Sequence, residues 1–371
     1  MNIMAPSAVA IEPKEVVFHA GKGKQSRPVL SGADLKPTFD RIPIVDFRNA
    51  SSPILEERLA VAREVGKAFT EVGFLYALNH GISPDLQERA TGVIKDFFAL
   101  PQEEKMAIHI HKSPAIKGYE PLLETRIDER TRGDLKEAFN MADDPYEPEQ
   151  NAPADLDLSP YPAGPGNQWP STPAAFRSTI YEYRAAAQDF SSVLLRLIAL
   201  ALDLPEDYFD NMTAFPMAGL RALHYPSQPP SDNDVIGIGA HADYSWITLV
   251  NQLTPAPALE VLNANGHWVS APPIEGSLVV NVGDFLERAT NDRFVSTVHR
   301  VRNISGAQRF SLAYFFAPSH DVMIRTLPTC LAEGETPKYE DVKAGVWQRE
   351  RLLRARVRHP ASIAAREKGE I

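Results

Sequence analysis

The chain has 371 residues, 44% of them apolar, and a formal net charge of −10. That is enough apolar material for a large core, and an acidic chain offers no field that draws in nucleic acid or anionic lipid, so neither is an expected partner. The single cysteine, Cys330, excludes an internal disulfide and any cysteine-based metal site. With no basic-then-apolar leader and no run of about 18 apolar residues, a cytoplasmic location is expected.

Residues 1–40 scatter charge, Gly and Pro without period and are expected to form an irregular arm. A helical and strand region is expected over 41–171. It opens with a strand at Ile42–Asp46, a helix carrying Leu55, Leu59, Ala62, Phe69 and Val72, a stop at Gly73 and a buried strand at Phe74–Leu78. A further helix covers 84–99, and the Pro- and acid-rich stretch 141–171 is expected as a surface connection. The region 172–335 starts with a long helix whose apolar stripe runs Phe176, Ile180, Tyr183, Ala187, Phe190, Leu194, Leu197 and Ala201. Thr172-Pro173 offers it an N-cap and a first-turn proline. Such a stripe packs against the outside of a sheet, which makes this helix scaffold.

From about 218 short apolar runs alternate with turn residues: Leu220–Tyr225, Ile247–Leu253, Leu259–Leu262, Leu278–Val282, Phe294–Val301 and Phe310–Ala317. Asn265-Gly266 is a hairpin-turn signal between two of them. This rhythm predicts a sandwich or barrel rather than a parallel sheet. A C-terminal helix and tail are expected over 336–371. Its arginines, Arg349, Arg351, Arg354, Arg356 and Arg358, read as a solvated helix face.

Two pairs carry the chemistry. In His241-Ala-Asp243 an imidazole and a carboxylate two residues apart on an extended segment face the same side and converge. His299, on a later predicted strand, is the candidate third ligand. Two neutral imidazoles and one carboxylate on one face of a metal leave the opposite positions open, which is the ligand set of non-haem Fe(II) oxygenases. By itself His-x-Asp is more often a hydrogen-bonded pair. The second pair is Arg309 and Ser311 in Gln308–Phe316, sharing a face with Phe310 and Leu312 opposite. An arginine on an apolar strand needs an anion, and this strand has no acidic residue. A bound dicarboxylate would supply it through the bidentate fork; a distant Asp or Glu is the other reading.

Together these residues resemble the isopenicillin-N-synthase-like 2-oxoglutarate/Fe(II) dioxygenases. The family's His-x-Asp…His is matched by His241-Ala-Asp243 and His299, its Arg-x-Ser by Arg309-Phe-Ser311, and its Tyr-Pro strand end by Tyr225-Pro226. Ile42–Phe47, Glu71–Phe74, Asn79–Gly81, Phe97–Pro101, Gly118-Tyr119 and Asp134–Phe139 look like the family's N-terminal half, so the likeness spans roughly residues 40–355. Gly237–His241 and Asp243-Tyr244 are similar to the microbial ethylene-forming enzyme, and Asn291-Asp292 with Ser296–Val301 to fungal thymine hydroxylases. Ala242 stands where the family more often has Thr, and Leu223 where plant members often have Asn.

The resemblance implies a mainly β fold with flanking helices, a double-stranded β-helix or jelly roll. It implies Fe(II) on His241, Asp243 and His299, chelated by 2-oxoglutarate, whose distal carboxylate meets Arg309, Ser311 and Tyr225. O2 would take the last position, and a small organic molecule of specialised metabolism would be hydroxylated, desaturated or cyclised with release of succinate and CO2. Two other readings share the pattern: an Fe(II) oxidase of the same fold that uses no 2-oxoglutarate, and a non-catalytic jelly roll that binds a metal or ligand.

Further residues carry two readings each. Asn281 either lines the cosubstrate pocket or bonds the backbone at a strand end. Arg221 either holds an acidic substrate or pairs with Asp or Glu. Tyr244, Trp246 and Phe316 lie beside the site as substrate contacts or as core. Asp284 is expected to cap a helix over 285–290, and His80, His224, His267 and His320 are expected to be structural or on the surface.

Overall fold

The computed structural model describes residues 15–20, 23–125, 133–164, 166–227, 236–303 and 305–371. It starts with an antiparallel hairpin, β1 (Glu15–Ala20) and β2 (Gly23–Pro28). This corrects the irregular arm expected for residues 1–40, of which 1–14, 21 and 22 lie outside the described residues. The cause is tertiary: Val16 and Phe18 bury one face of β1 against Leu262 and Val298, contacts that no local pattern announces.

Next come β3 (Ile44–Asp46), α1 (Leu55–Glu71), β4 (Phe74–Leu78), α2 (Pro84–Ala99) and α3 (Gln102–Met106). Val61, Val65, Ala68 and Phe69 form the buried stripe of α1. Gly73 turns the chain into β4 at φ 74°, a left-handed conformation that favours glycine. The Ser83 hydroxyl accepts from the Leu86 N–H at 3.2 Å and caps α2, with Pro84 in its first turn.

The hairpin β5 (Gly118–Glu120) and β6 (Glu137–Met141) precedes the Pro- and acid-rich stretch. That stretch is less superficial than expected. Asp144 accepts from the Gly166 and Asn167 N–H groups at 2.7 and 3.0 Å, and Glu147 and Gln150 are buried, so polar side chains tie the connection down. Helix α4 (Phe176–Ala201) then starts one turn later than Thr172-Pro173 suggested. Its N-cap is Ala175, and the Phe176 N–H bonds the Pro173 carbonyl at 2.9 Å, so Thr172 caps nothing. The predicted stripe of α4 is buried from Phe176 to Leu197 and packs on α1, α2 and the larger sheet. Each Leu or Ile buried there contributes about 1.5–3 kcal/mol.

The remaining strands are β7 (Ala218–Tyr225), β8 (Ile236–His241), β9 (Ile247–Gln252), β10 (Leu259–Leu262), β11 (Trp268–Ser270) and β12 (Ser277–Val282). Helix α5 (Asp284–Ala289), β13 (His299–Arg302) and β14 (Arg309–Phe316) follow. A ribbon of β15 (Met323–Ile324) and β16 (Val342–Lys343) leads into α6 (Ala344–Ala355) and α7 (Pro360–Glu367). Residues 294–298 precede β13 as a loop rather than joining it. The Asn265-Gly266 turn joins β10 to β11, with Gly266 at φ 76°.

The strands curl into a jelly roll of two mostly antiparallel sheets, ordered β11-β10-β13-β8-β1-β2 and β3-β4-β12-β9-β14-β7-β6-β5. Alternation divides the cores. Leu278, Val280 and Val282 of β12 and Phe310, Leu312, Tyr314 and Phe316 of β14 point out into the helical layer. Val279, Ala313, Leu223, Tyr225, Ile238 and Val301 point between the sheets. No helix among the described residues is long and apolar enough to cross a membrane.

Candidate active site

Between the sheets, β8 ends at His241 and pairs with β13 at His299. Asp243 lies two residues past the end of β8. The convergence expected from strand parity is therefore produced by a strand end and the loop after it. His241 Nε2 lies 3.6 Å from one carboxylate oxygen of Asp243, and His299 Nε2 lies 3.8 Å from the other. The three side chains offer ligand atoms within 4.8 Å of one another.

The donor chemistry suits a divalent metal. His241 Nδ1 is 2.8 Å from the Gly239 carbonyl, and His299 Nδ1 is 3.2 Å from the Thr297 carbonyl. A carbonyl only accepts, so each Nδ1 carries the proton and each Nε2 presents a lone pair to the shared space. Burial pushes His299 down to about 4, which keeps its ring neutral. Burial also works against the Asp243 carboxylate, but whatever positive charge His299 and His241 carry and a hydrogen bond from Asn281 outweigh it and hold its pKa below the usual carboxylate range. Asp243 Oδ2 accepts from Thr248 Oγ1 at 2.8 Å and Asn281 Nδ2 at 2.9 Å, which orients the carboxylate. Asn281 thus acts on the carboxylate of the cluster, a role between the two readings of the sequence.

Backbone contacts fix the same loop. The Asp284 N–H donates to the Asp243 carbonyl at 2.7 Å, and the Ala242 N–H donates to the His19 carbonyl at 2.9 Å, so the N-terminal hairpin braces it. Gly283 is pressed against this loop: a Cβ there would stand 2.2 Å from the Ser245 carbonyl oxygen. Gly283→Ala is therefore expected to cost about 1–3 kcal/mol through overpacking. A melting curve measures this, and an unchanged melting temperature would remove the strain argument.

A second polar cluster joins β7, β9 and β14. Arg309 is 1% exposed and forms no ion pair among the described residues. Its guanidinium reaches Ser311 Oγ at 3.3 Å and Gln252 Oε1 at 3.2 Å and lies 4.9 Å from the centre of the Tyr225 ring, while its Nε has no partner. Burial lowers its pKa, and only Tyr225 offsets this. A buried, uncompensated guanidinium is costly, and a carboxylate is the group that would relieve it.

Other expected residues fall differently. Tyr244 does face the cavity at His241 and Asp243, with the Arg351 guanidinium 5.6 Å from its ring. Trp246 and Phe316 do not reach it: both are 1% exposed in the outer core, where Trp246 packs edge-on against Phe209. Parity explains the correction, since Phe316 is an odd number of residues from Arg309 and Ser311. Phe315, on their face, lines the cavity instead. Gln252, opposite Ser311 in the register, was open to the same argument. Nothing local marked Thr248 or Lys117, and Arg356 was expected on a solvated face; Lys117 and Arg356 line the cavity. Arg221 lines it while pairing with Glu120 at 2.9 Å.

Asp284 caps no helix. It is the first residue of α5, behind the N-cap Gly283, and its carboxylate accepts from Ser296 Oγ at 2.8 Å and pairs with Arg351 at 2.9 Å. The C-terminal arginines are only partly a solvated face, because Arg351 and Arg356 turn inward to Asp284 and Glu120. His80, His224, His267 and His320 each have a structural partner. A second His–His–Glu cluster, His109, His111 and Glu124, is spent internally: His111 Nε2 meets Glu124 at 2.7 Å and His109 Nδ1 accepts from the His111 N–H at 3.3 Å.

Residues 42–172 match the family model of the N-terminal region of the non-haem dioxygenases of morphine synthesis, and residues 216–318 match that of the 2OG-Fe(II) oxygenase superfamily. The 2-oxoglutarate-Fe(II) type oxidoreductase hxnY of Emericella nidulans is 37% identical over 322 residues, 82% of this chain and 89% of that protein. A homoarginine-6-hydroxylase of Arabidopsis thaliana is 34% identical, over 79% of this chain and 89% of that protein. Among solved structures, the full-length thymine hydroxylase of Neurospora crassa in complex with alpha-KG superposes with a TM-score of 0.74 at 28% identity, over 84% of this chain and 95% of that one.

Proposed function

The chain belongs to the 2OG-Fe(II) oxygenase superfamily and is a 2-oxoglutarate/Fe(II)-dependent dioxygenase, and from that premise we propose how its residues divide the work. His241, Asp243 and His299 hold the iron. Arg309, Ser311 and Tyr225 hold the distal carboxylate of 2-oxoglutarate, with Gln252 behind the guanidinium. The observation that carries this reading is the buried Arg309, which has no anion of its own among the described residues.

When bound, the iron and 2-oxoglutarate supply O2 activation coupled to oxidative decarboxylation to succinate and CO2. The chain's residues do the rest by position and charge. Thr248 and Asn281 keep the Asp243 carboxylate aimed, and the Gly239 and Thr297 carbonyls keep both imidazoles in the ligating tautomer. Arg309 fixes one end of the cosubstrate through a planar fork, and Ser311 adds a hydroxyl. The apolar faces of Ile238 and Phe315 limit water at the reacting end of the cavity.

We further infer a small organic substrate, a cytoplasmic location, and neither nucleic acid nor a membrane as partner; the net charge of −10 supports the last point. The test is succinate release by the purified protein. It is expected to require Fe(II), 2-oxoglutarate and O2 together and to accelerate when a substrate is added. O2 uptake that depends on substrate but yields no succinate would overturn it.

A further inference from the structure

The cavity at His241 and Asp243 has a feature that iron and 2-oxoglutarate leave unexplained. Its wall carries three cationic side chains, Lys117, Arg221 and Arg356, and next to them Lys136 is buried. One fully buried carboxylate, Glu120, serves three of the four. Arg221 Nη2 meets both its oxygens at 2.9 and 3.0 Å, Arg356 Nη2 lies 3.3 Å away, and Lys136 bonds it as well. The other nearby carboxylates give little relief. Asp143 is taken by His320 at 3.0 Å, and burial pushes the Asp134 carboxyl toward its neutral form.

Lys117 is the cation left over. Among the described residues its ammonium makes no hydrogen bond and no ion pair, and burial beside Arg356 and Arg221 pushes it down to about 8, with Asp143 only partly offsetting. The backbone pins it in place. Its carbonyl accepts from Gln168 Nε2 at 2.7 Å, and it lies between Ile116 and Gly118, at φ 60° and 112°. It also faces a neighbouring cavity of about 390 Å³ that shares Ile116, Ala142, Asp143 and Leu352 with the first.

Arg309 is not among the residues that line this cavity. Arg309 stands opposite Tyr225 in the register, and Ala313 stands opposite Arg221. Four residues of strand put the two backbone positions about 13 Å apart, with Tyr225 feeling the charge of both guanidinium groups. A cavity with an unpaired cation in its wall is stabilised by a bound anion.

We propose that the substrate is a carboxylic acid whose carboxylate is bound by Lys117, with Arg221 and Arg356 beside it, while its oxidised carbon faces the iron. Glu120 alone stands against three of the four cations, and the wall keeps positive charge that a carboxylate would offset. The inference rests on the oxygenase reading of the same cavity and adds the substrate's chemical class.

The test uses the full chain, loaded anaerobically with Fe(II) and 2-oxoglutarate. A panel of monocarboxylates, among them acetate, hexanoate, benzoate and phenylacetate, is titrated calorimetrically beside the corresponding primary amides. On admitting air, succinate release is followed. Acids are expected to bind and to stimulate succinate release, and their amides to be silent. Lys117→Gln is expected to weaken the best acid at least tenfold, Lys117→Arg to recover most of that loss, and 2-oxoglutarate affinity to stay within twofold in both. Amides that bind as well as acids, or a Lys117→Gln protein that binds the acid like wild type, would overturn the proposal. So would a wild-type protein that binds 2-oxoglutarate but none of the acids, which leaves the oxygenase reading standing. Failure of wild type to bind 2-oxoglutarate would remove both readings together.

Discussion

Asp243→Ala is expected to abolish turnover and to strip the metal while the protein still folds. The carboxylate is the one charged member of a cluster otherwise made of two imidazoles, so its loss removes a ligand and the charge that offsets a divalent cation. The scaffold does not depend on it, because the loop is also held by backbone bonds at Ala242 and to the Asp243 carbonyl, which alanine retains. Removing an outer partner of a metal ligand usually costs about 10–100-fold in metal affinity or activity. Asn281→Ala and Thr248→Val should fall in that range, and Asp243→Ala beyond it. Metal content after desalting, activity and a melting curve separate the cases. Wild-type turnover in Asp243→Ala would take the residue out of the site; a variant that no longer folds would mean the carboxylate serves structure.

The second large effect is expected at Arg309. Truncation to alanine leaves one end of a dicarboxylate unpaired in a pocket with little water, which typically costs about 2–5 kcal/mol, or roughly 30-fold or more in affinity. Arg309→Lys keeps the charge but loses the planar fork that meets Ser311 and Gln252 at once, so it should bind 2-oxoglutarate less tightly than wild type and more tightly than the alanine variant. Ser311→Ala should cost least, about 0.5–1.5 kcal/mol for one neutral hydrogen bond. Anaerobic titration of 2-oxoglutarate into the Fe(II) protein gives the order directly. If Arg309→Ala binds 2-oxoglutarate as tightly as wild type, the guanidinium is not the anchor.

The two sites share a construction. Each is a polar group set on the inward face of a strand whose outward face is apolar: Arg309 and Ser311 alternate with Phe310 and Leu312, and Asn281 alternates with Val280 and Val282. The outward residues bury against α1, α2 and α4 and fix each strand's register, so the inward polar groups inherit their positions from the hydrophobic packing. A one-residue slip would exchange the faces and dismantle both sites.

The amino-acid sequence by itself determined whatever depends on local periodicity and on short spacing. The α4 stripe, the helix over 84–99, the Asn265-Gly266 turn and the inward face of β14 follow from residues a few positions apart, because helix and strand geometry repeat every 3.6 and 2 residues. The pairing of His241-x-Asp243 with His299 was legible from donor chemistry and from likeness to a family. Only the tertiary structure decided what depends on residues far apart in the chain. The N-terminal hairpin is ordered by packing on Leu262 and Val298 and by pairing beside His241, neither of which its own composition signals. Phe316 and Trp246 fell to the outer core and Phe315 to the cavity, because the direction of a side chain is set by register against neighbouring strands. The cationic wall brings together Lys117 from just before β5, Arg221 from the middle of β7 and Arg356 from the end of α6. Long-range burial joins them, and no sequence spacing encodes it.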